Sequence, residues 1–489
     1  MTRFTPPLTA AALVLAAAPL ARAQATRDLG RADGFAIDQP RVVVRFDTPD
    51  DSQNFPEDPN GGFTFIADTG ASGVLLAAGA HSDLFSLGTI NYPIAGTYLE
   101  QGVGGFEPVD VTDPLDTVVS AFSGLDAILG GSSGGLPGDI TTFELPNIAG
   151  LDAPNLNLGG FDGIIGMPAL ANRTTVVDLQ TISGGSFGFD LIRVGFTDDA
   201  SGLTLPTGTQ HEFSFSKFLI QPEAGQVGPD GPIPSSEDLP LLGGISVGNG
   251  DTNGDGLIDS GDTATTPTAK PFLFDTGAQL TLISSQVAID LGIDPNDPTL
   301  ETLEVAGVGG TTEIPVALVD RFAITADSTD GSPGDTLLFR QVPVGIIDIP
   351  GLDVDGILGF NFFTTGYLDA LLAGLADPDD PAAAVDGAFL QMLLNFEDPD
   401  NWGMTLIEND DYIPGDSIDL LGDLDALALT LFPGTPLETE IGLGTGLANQ
   451  ALLSWPGVLG ASAIPEPTTA LALLAAAPMF LRRRHAATR

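Results

Sequence analysis

The chain has 489 residues, 43% of them hydrophobic, enough to bury the core of one large domain or two of ordinary size. Its formal net charge of -49 arises from scarce base, 16 Lys and Arg against 65 Asp and Glu, which argues against nucleic acid and anionic membrane surfaces as partners and favours cations. The 62 Gly and 38 Pro, set between short apolar runs, predict a mainly β structure, and the absence of Cys leaves stability to burial, hydrogen bonds and metal.

Residues 1–23 combine Arg3, an apolar stretch from Leu8 to Leu20, and small residues at Ala21 and Ala23. That is the pattern of a secretory signal peptide cut after Ala23. Residues 24–39 then read either as a very short propeptide or as the lead-in to a first strand.

An internal repeat organises the next 370 or so residues. The run from Phe63 to Ala71, with Asp68, Thr69 and Gly70 at its turn, recurs as Pro271 to Ala278, with Asp275, Thr276 and Gly277 each 207 residues later. A glycine-rich tetrapeptide follows each copy: Gly102, Val103, Gly104 and Gly105 after the first, Gly307, Val308, Gly309 and Gly310 after the second. They begin 34 and 32 residues beyond the respective Asp. Next come Phe161-Asp162-Gly163-Ile164-Ile165-Gly166 and Val354-Asp355-Gly356-Ile357-Leu358-Gly359. Each half thus predicts a strand, an Asp-Thr-Gly turn, a Gly-rich hairpin and an apolar strand ending in Gly.

These matched motifs resemble the single-chain, bilobal members of the pepsin and retropepsin superfamily of aspartic proteases, over roughly residues 40 to 410. Ala71 and Ala278 after the turns are closer to the retropepsin pattern than to the pepsin one. The resemblance implies two pseudo-symmetric, β-barrel-like lobes with a cleft between them. It implies Asp68 and Asp275 as the catalytic pair, Thr69 and Thr276 bonding across the lobes, Gly70 and Gly277 in support, and the Gly-rich hairpins as flaps. Two carboxylates about 3 Å apart cannot both ionise easily, so they share a proton and supply both acid and base for amide hydrolysis, with no catalytic cofactor. The expected activity is an aspartic endopeptidase acting on polypeptide, as a monomer. The alternative is an inactive binding or matrix protein of the cell envelope with the same fold.

Between the copies, Asp251, Asn253, Asp255, Asp259 and Asp262 occupy positions 1, 3, 5, 9 and 12 of a loop, with Gly256 at the turn and Leu257 offering its carbonyl. This resembles the calcium loops of dockerin and EF-hand proteins, with Asp in place of the final Glu, and predicts a structural Ca²⁺. His81, His211 and His485 are scattered and form no ligand or triad pattern.

The expected boundaries are an N-terminal lobe over 24–205, a linker or loop insertion over 206–250, the calcium loop at 251–262 and a C-terminal lobe over 263–410. Residues 411–462 form a spacer without an assigned role. At 463–489, Pro465, Glu466 and Pro467 precede an apolar run from Ala470 to Leu481 and then Arg482, Arg483 and Arg484. This order resembles the PEP-CTERM sorting signal of bacterial envelope proteins. It implies a transient membrane anchor, processing by an exosortase-type enzyme, and residence in the envelope or outside the cell.

Overall fold

The computed structural model describes residues 25–414 apart from 33, 35, 37–38, 48–53, 56–62, 78–93, 103–104, 122–141, 149–150, 154–160, 180–191, 219–237, 251–265, 269, 309, 329–333, 349–351 and 367–386. The expected signal peptide, the expected calcium loop, the spacer from residue 415 on and the expected sorting tail therefore lie outside the described residues. Among those described, no helix is long and apolar enough to cross a membrane.

The fold is mainly β, as the composition predicts. The apolar stretches of the repeat become short strands buried on both faces: Phe63–Ala67 and Val74–Ala77 in the first copy, Phe272–Phe274 and Leu282–Ile283 in the second. Each set is completed by the third motif. Gly163–Ile165 runs parallel to Phe63–Ala67 and antiparallel to Val74–Ala77, and Gly356–Leu358 does the same between Phe272–Phe274 and Leu282–Ile283.

The glycine opening that third strand is a packing requirement in both copies. A Cβ on Gly163 would fall 2.3 Å from the Leu75 carbonyl and 2.5 Å from the Phe65 ring. One on Gly356 would fall 2.2 Å from the Leu282 carbonyl and 2.4 Å from the Phe272 ring. Such separations leave no room for a side chain.

The strands assemble into sheets of 10 and 15 members among the described residues. The smaller one draws on residues 41–165 alone. The larger one draws on both copies: Thr174–Asp178 pairs antiparallel with Phe389–Asn395, and Arg193–Thr197 is added outside it. The N-terminal strand Thr26–Arg31 also crosses over, pairing parallel with Thr336–Ile346 of the second copy. The segment read as a very short propeptide or a first strand's lead-in thus contributes a strand to the second copy's sheet.

The 206–250 stretch is more than a linker. Gln210–Phe218 alternates exposed and buried residues with His211, Phe213 and Phe215 inward, the period of a half-buried strand. It bridges Gly403–Glu408 and Leu239–Leu242, and the latter pairs with Phe272–Phe274 next to Asp275. Pro- and Gly-rich composition around residues 222–240 masked these strands in the sequence. Among the described residues, helix is confined to short pieces such as Met167–Leu170 and Ser285–Asp290, the latter capped by Ser284 Oγ accepting from the Val287 N–H at 3.3 Å.

Candidate active site

Each Asp-Thr-Gly turn emerges from a buried strand and is held by its own copy's third strand. The Asp68 N–H donates to the Ile165 carbonyl at 3.0 Å, and the Asp275 N–H to the Leu358 carbonyl at 3.1 Å. Asp162 and Asp355, at the start of the third motifs, anchor the entering strands. Asp162 Oδ2 accepts from the Thr64 N–H at 2.8 Å. Pro271, which stands where Thr64 does, has no N–H, and Asp355 Oδ2 accepts instead from Lys270 N–H at 2.8 Å.

The two turns meet. The Thr69 hydroxyl donates to the Phe274 carbonyl at 2.8 Å and accepts from the Thr276 N–H at 3.1 Å. The Thr276 hydroxyl donates to the Ala67 carbonyl at 2.7 Å and accepts from the Thr69 N–H at 3.1 Å. Both threonines are fully buried.

Above them, the carboxylates lie against each other's turn. A Cβ on Gly70 would sit 2.4 Å from the Asp275 Cγ, and one on Gly277 would sit 2.4 Å from the Asp68 Cγ. Neither glycine has a left-handed backbone, so close approach alone demands them. Each carboxylate also closes a turn on its own loop. Asp68 Oδ1 accepts from Gly70 N–H at 2.7 Å, and Asp275 Oδ1 accepts from Gly277 and Ala278 N–H at 2.8 and 2.9 Å.

The two carboxyls are not equivalent. Burial pushes Asp68 well above its ordinary value of 3.8; the facing charge of Asp275 and the hydrogen bond to it push it further, while the N–H groups of Gly70 and Gly277 oppose. Burial raises half-buried Asp275 too, but the Asp68 hydrogen bond and the N–H groups of Ala278 and Gly277 pull it back. Both carboxyls stand above their ordinary value, and the pair titrates as a unit.

The Gly-rich motifs form the tips of two hairpins, in which Gly102 pairs with Gly105 and Gly307 with Gly310. The tips abut: a Cβ on Gly102 would fall 2.6 Å from the Val308 Cβ. Val308 packs against Leu75, Ala77, Val109 and Val111 of the first copy's sheet. Val103, Gly104 and Gly309 lie outside the described residues, as do Asp251, Asn253, Asp255, Leu257, Asp259 and Asp262. Among the described residues, no cluster of three or more His, Asp or Glu could hold a metal.

One buried polar cluster has no signal in the sequence pattern. His211 Nε2 lies 2.9 Å from Glu408 Oε2, and the Arg27 guanidinium donates to Glu408 Oε1, its Nε at 2.7 Å. His211 and Glu408 are buried, and Arg27 is half-exposed. Their positions are far apart in the chain, and only the sheet brings them together.

Residues 249–362 match a family model described as aspartyl protease. The match takes in Asp275, its hairpin and the Gly356–Leu358 strand, so this part of the second copy is similar to aspartyl proteases, which supports a peptide-bond hydrolase in general. No curated protein matches the chain.

Proposed function

We propose that the protein is an aspartic endopeptidase, bilobal and monomeric, whose dyad is Asp68 and Asp275. The observation that carries this reading is that each carboxylate packs against the other turn's glycine while the buried threonines bond reciprocally beneath them. Both copies supply the same parts, so neither half of the pair is vestigial.

In this reading Asp275 is the ionised partner and takes a proton from a water molecule lodged between the carboxylates. The water oxygen attacks the scissile carbonyl carbon, and protonated Asp68 gives its proton to the carbonyl oxygen. Collapse of the tetrahedral diol breaks the C–N bond as Asp275 passes its proton to the leaving nitrogen and Asp68 takes one from a diol hydroxyl, which restores the starting pair. The two hairpin tips form the roof over an extended polypeptide, with Gly102 to Gly105 and Gly307 to Gly310 as its flaps. The 24–205 and 263–410 segments are the lobes, with the sheet strands of 206–250 joining them.

The ends of the chain support a location outside the cytoplasm: export by the 1–23 leader, transient membrane anchoring through 463–489, and removal of that tail by an exosortase-type enzyme. The 251–262 loop is proposed to carry a structural Ca²⁺.

The test is cleavage of a denatured protein between about pH 3 and 7, the carboxylate range, by the protein and by Asp68→Asn and Asp275→Asn. The expected loss in either variant is about a hundredfold or more. Cleavage unchanged in both variants sinks the reading, and peptide binding without turnover in the parent protein points to a binding or matrix protein instead.

A further inference from the structure

Gln39 lies just before the strand Arg41–Asp47 of the first copy, yet its side chain reaches the turn of the second. Its amide nitrogen donates to the Gly277 carbonyl. The same short segment is fixed there by a second contact, Ala36 N–H to the Gln279 carbonyl at 2.8 Å. Gln39 is buried.

The Gly277 carbonyl belongs to the peptide group whose other end is the Ala278 N–H, and that N–H donates to Asp275 Oδ1 at 2.9 Å. A donor placed on a peptide carbonyl draws electron density toward the oxygen and makes the N–H of the same group a stronger donor, by about 10–30% per bond. Gln39, the Gly277–Ala278 peptide and the Asp275 carboxylate thus form one chain of hydrogen bonds, ending on the carboxylate that the proposed mechanism keeps ionised. The turn of the first copy is built differently: Ala71 N–H donates to the main-chain carbonyl of Asp68, at 3.4 Å. The carboxylate that takes two N–H donors from its own turn is the one backed by Gln39.

We infer that Gln39 is a positioning residue for Asp275: by bonding the Gly277 carbonyl it polarises the peptide that holds the carboxylate, and so biases the shared proton toward Asp68. Its meaning for catalysis rests on the proposed dyad; the hydrogen-bond chain does not.

The experiment is a side-chain carboxyl carbon NMR titration of the full chain and of Gln39→Met, which keeps length and apolar bulk but has no donor. The Asp275 signal is assigned by its loss in Asp275→Asn. The expected result is a rise of roughly 0.5–1 unit in the Asp275 midpoint, a threefold to tenfold weaker acid. The acid limb of kcat/KM for polypeptide cleavage should move by the same amount. A lowered melting temperature with an unmoved midpoint means that Gln39 only staples the two halves together, and overturns the inference. If Gln39→Met does not fold, Gln39→Asn, whose amide is one methylene too short to reach, is read in the same way. If the parent cleaves nothing, the endopeptidase reading fails while the titration still decides the role of Gln39.

Discussion

Thr69 and Thr276 hold each other by mirrored bonds, each hydroxyl accepting the other's N–H at 3.1 Å while donating into the other copy's strand. Four buried backbone groups, the N–H of Thr69 and Thr276 and the carbonyls of Ala67 and Phe274, are satisfied by two side chains. Thr69→Ala or Thr276→Ala orphans one N–H and one carbonyl in each case. Either should cost about 1–3 kcal/mol in urea unfolding, because a buried group left unpaired carries its full desolvation penalty. Thr→Ser at the same sites keeps the hydroxyl and should recover most of the loss. Equal destabilisation by Ala and Ser would show that the methyl packing matters and the bonds do not.

The glycines above that lock make a sharper prediction. At Gly70 and Gly277 the obstacle to a side chain is the opposite carboxylate, 2.4 Å from where the Cβ would stand. Gly70→Ala and Gly277→Ala should each push the carboxylates apart, cost about 1–3 kcal/mol as an overpacked site, and reduce cleavage by more than their stability loss explains. Comparing kcat for folded protein with the unfolding midpoint separates the two effects. Retained kcat in Gly277→Ala would mean that the carboxylates do not need the contact.

The raised Asp68 has a consequence for stability. A carboxyl whose folded value lies above its unfolded one binds protons more tightly when folded, so it favours the folded state only in acid. Stability falls as pH rises from the ordinary value of 3.8 through the higher folded value. Asp68→Asn removes that charge. It should therefore melt higher than the parent at pH 7, by about 1 °C for each kcal/mol released, and the gap should close below about pH 4. An Asn variant that melts below the parent at neutral pH would contradict the assignment of a costly charge to this position.

The two turns that meet were legible in the sequence because each is a local motif: Asp, Thr and Gly are adjacent, and the same order repeats 207 residues later. The third strand was legible for the same reason, since Gly163 and Gly356 are demanded by a close approach that both copies share. What stayed hidden depends on partners with no common spacing. Arg27 and His211 lie 381 and 197 residues from Glu408 and meet it only through sheet pairing. The strands within 206–250 are bounded by Pro and Gly that read as a linker, and the reach of Gln39 into the second turn needs a backbone path that no periodicity announces.

The proposed calcium loop rests on its residue order alone. Five oxygen side chains and the Leu257 carbonyl, around Gly256, suit a hard divalent ion that would tie the strands before residue 251 to those that follow. Adding a chelator should lower the melting temperature, with Ca²⁺ restoring it, because a ligand bound to the folded state alone stabilises it by mass action. Asp255→Ala should melt lower than the parent and be indifferent to chelation. A parent protein that melts identically with and without chelator carries no structural ion.

Glu408 offers the opposite pH sign to Asp68. Burial pushes its carboxyl up, but the hydrogen bonds from His211 and Arg27 and the Arg27 and His211 charges more than offset that, leaving it below the ordinary 4.5. A carboxyl lowered on folding stabilises the protein above its unfolded value and loses that contribution as pH falls through the folded one. Glu408→Gln should therefore cost about 1–3 kcal/mol near neutrality, a figure held down because Arg27 is half-exposed and its attraction is screened by water. The difference from the parent should shrink as pH drops below 4.5, where the parent's carboxyl is itself being protonated. Arg27 sits on Thr26–Arg31, the strand that the first residues after the expected leader lend to the second copy's sheet. Loss of the bond should thus appear first as faster amide exchange in Thr26–Arg31 and its partner Thr336–Ile346. Uniform exchange across the whole chain in Glu408→Gln would show that the cluster supports the fold globally and does not act as the tether of that strand.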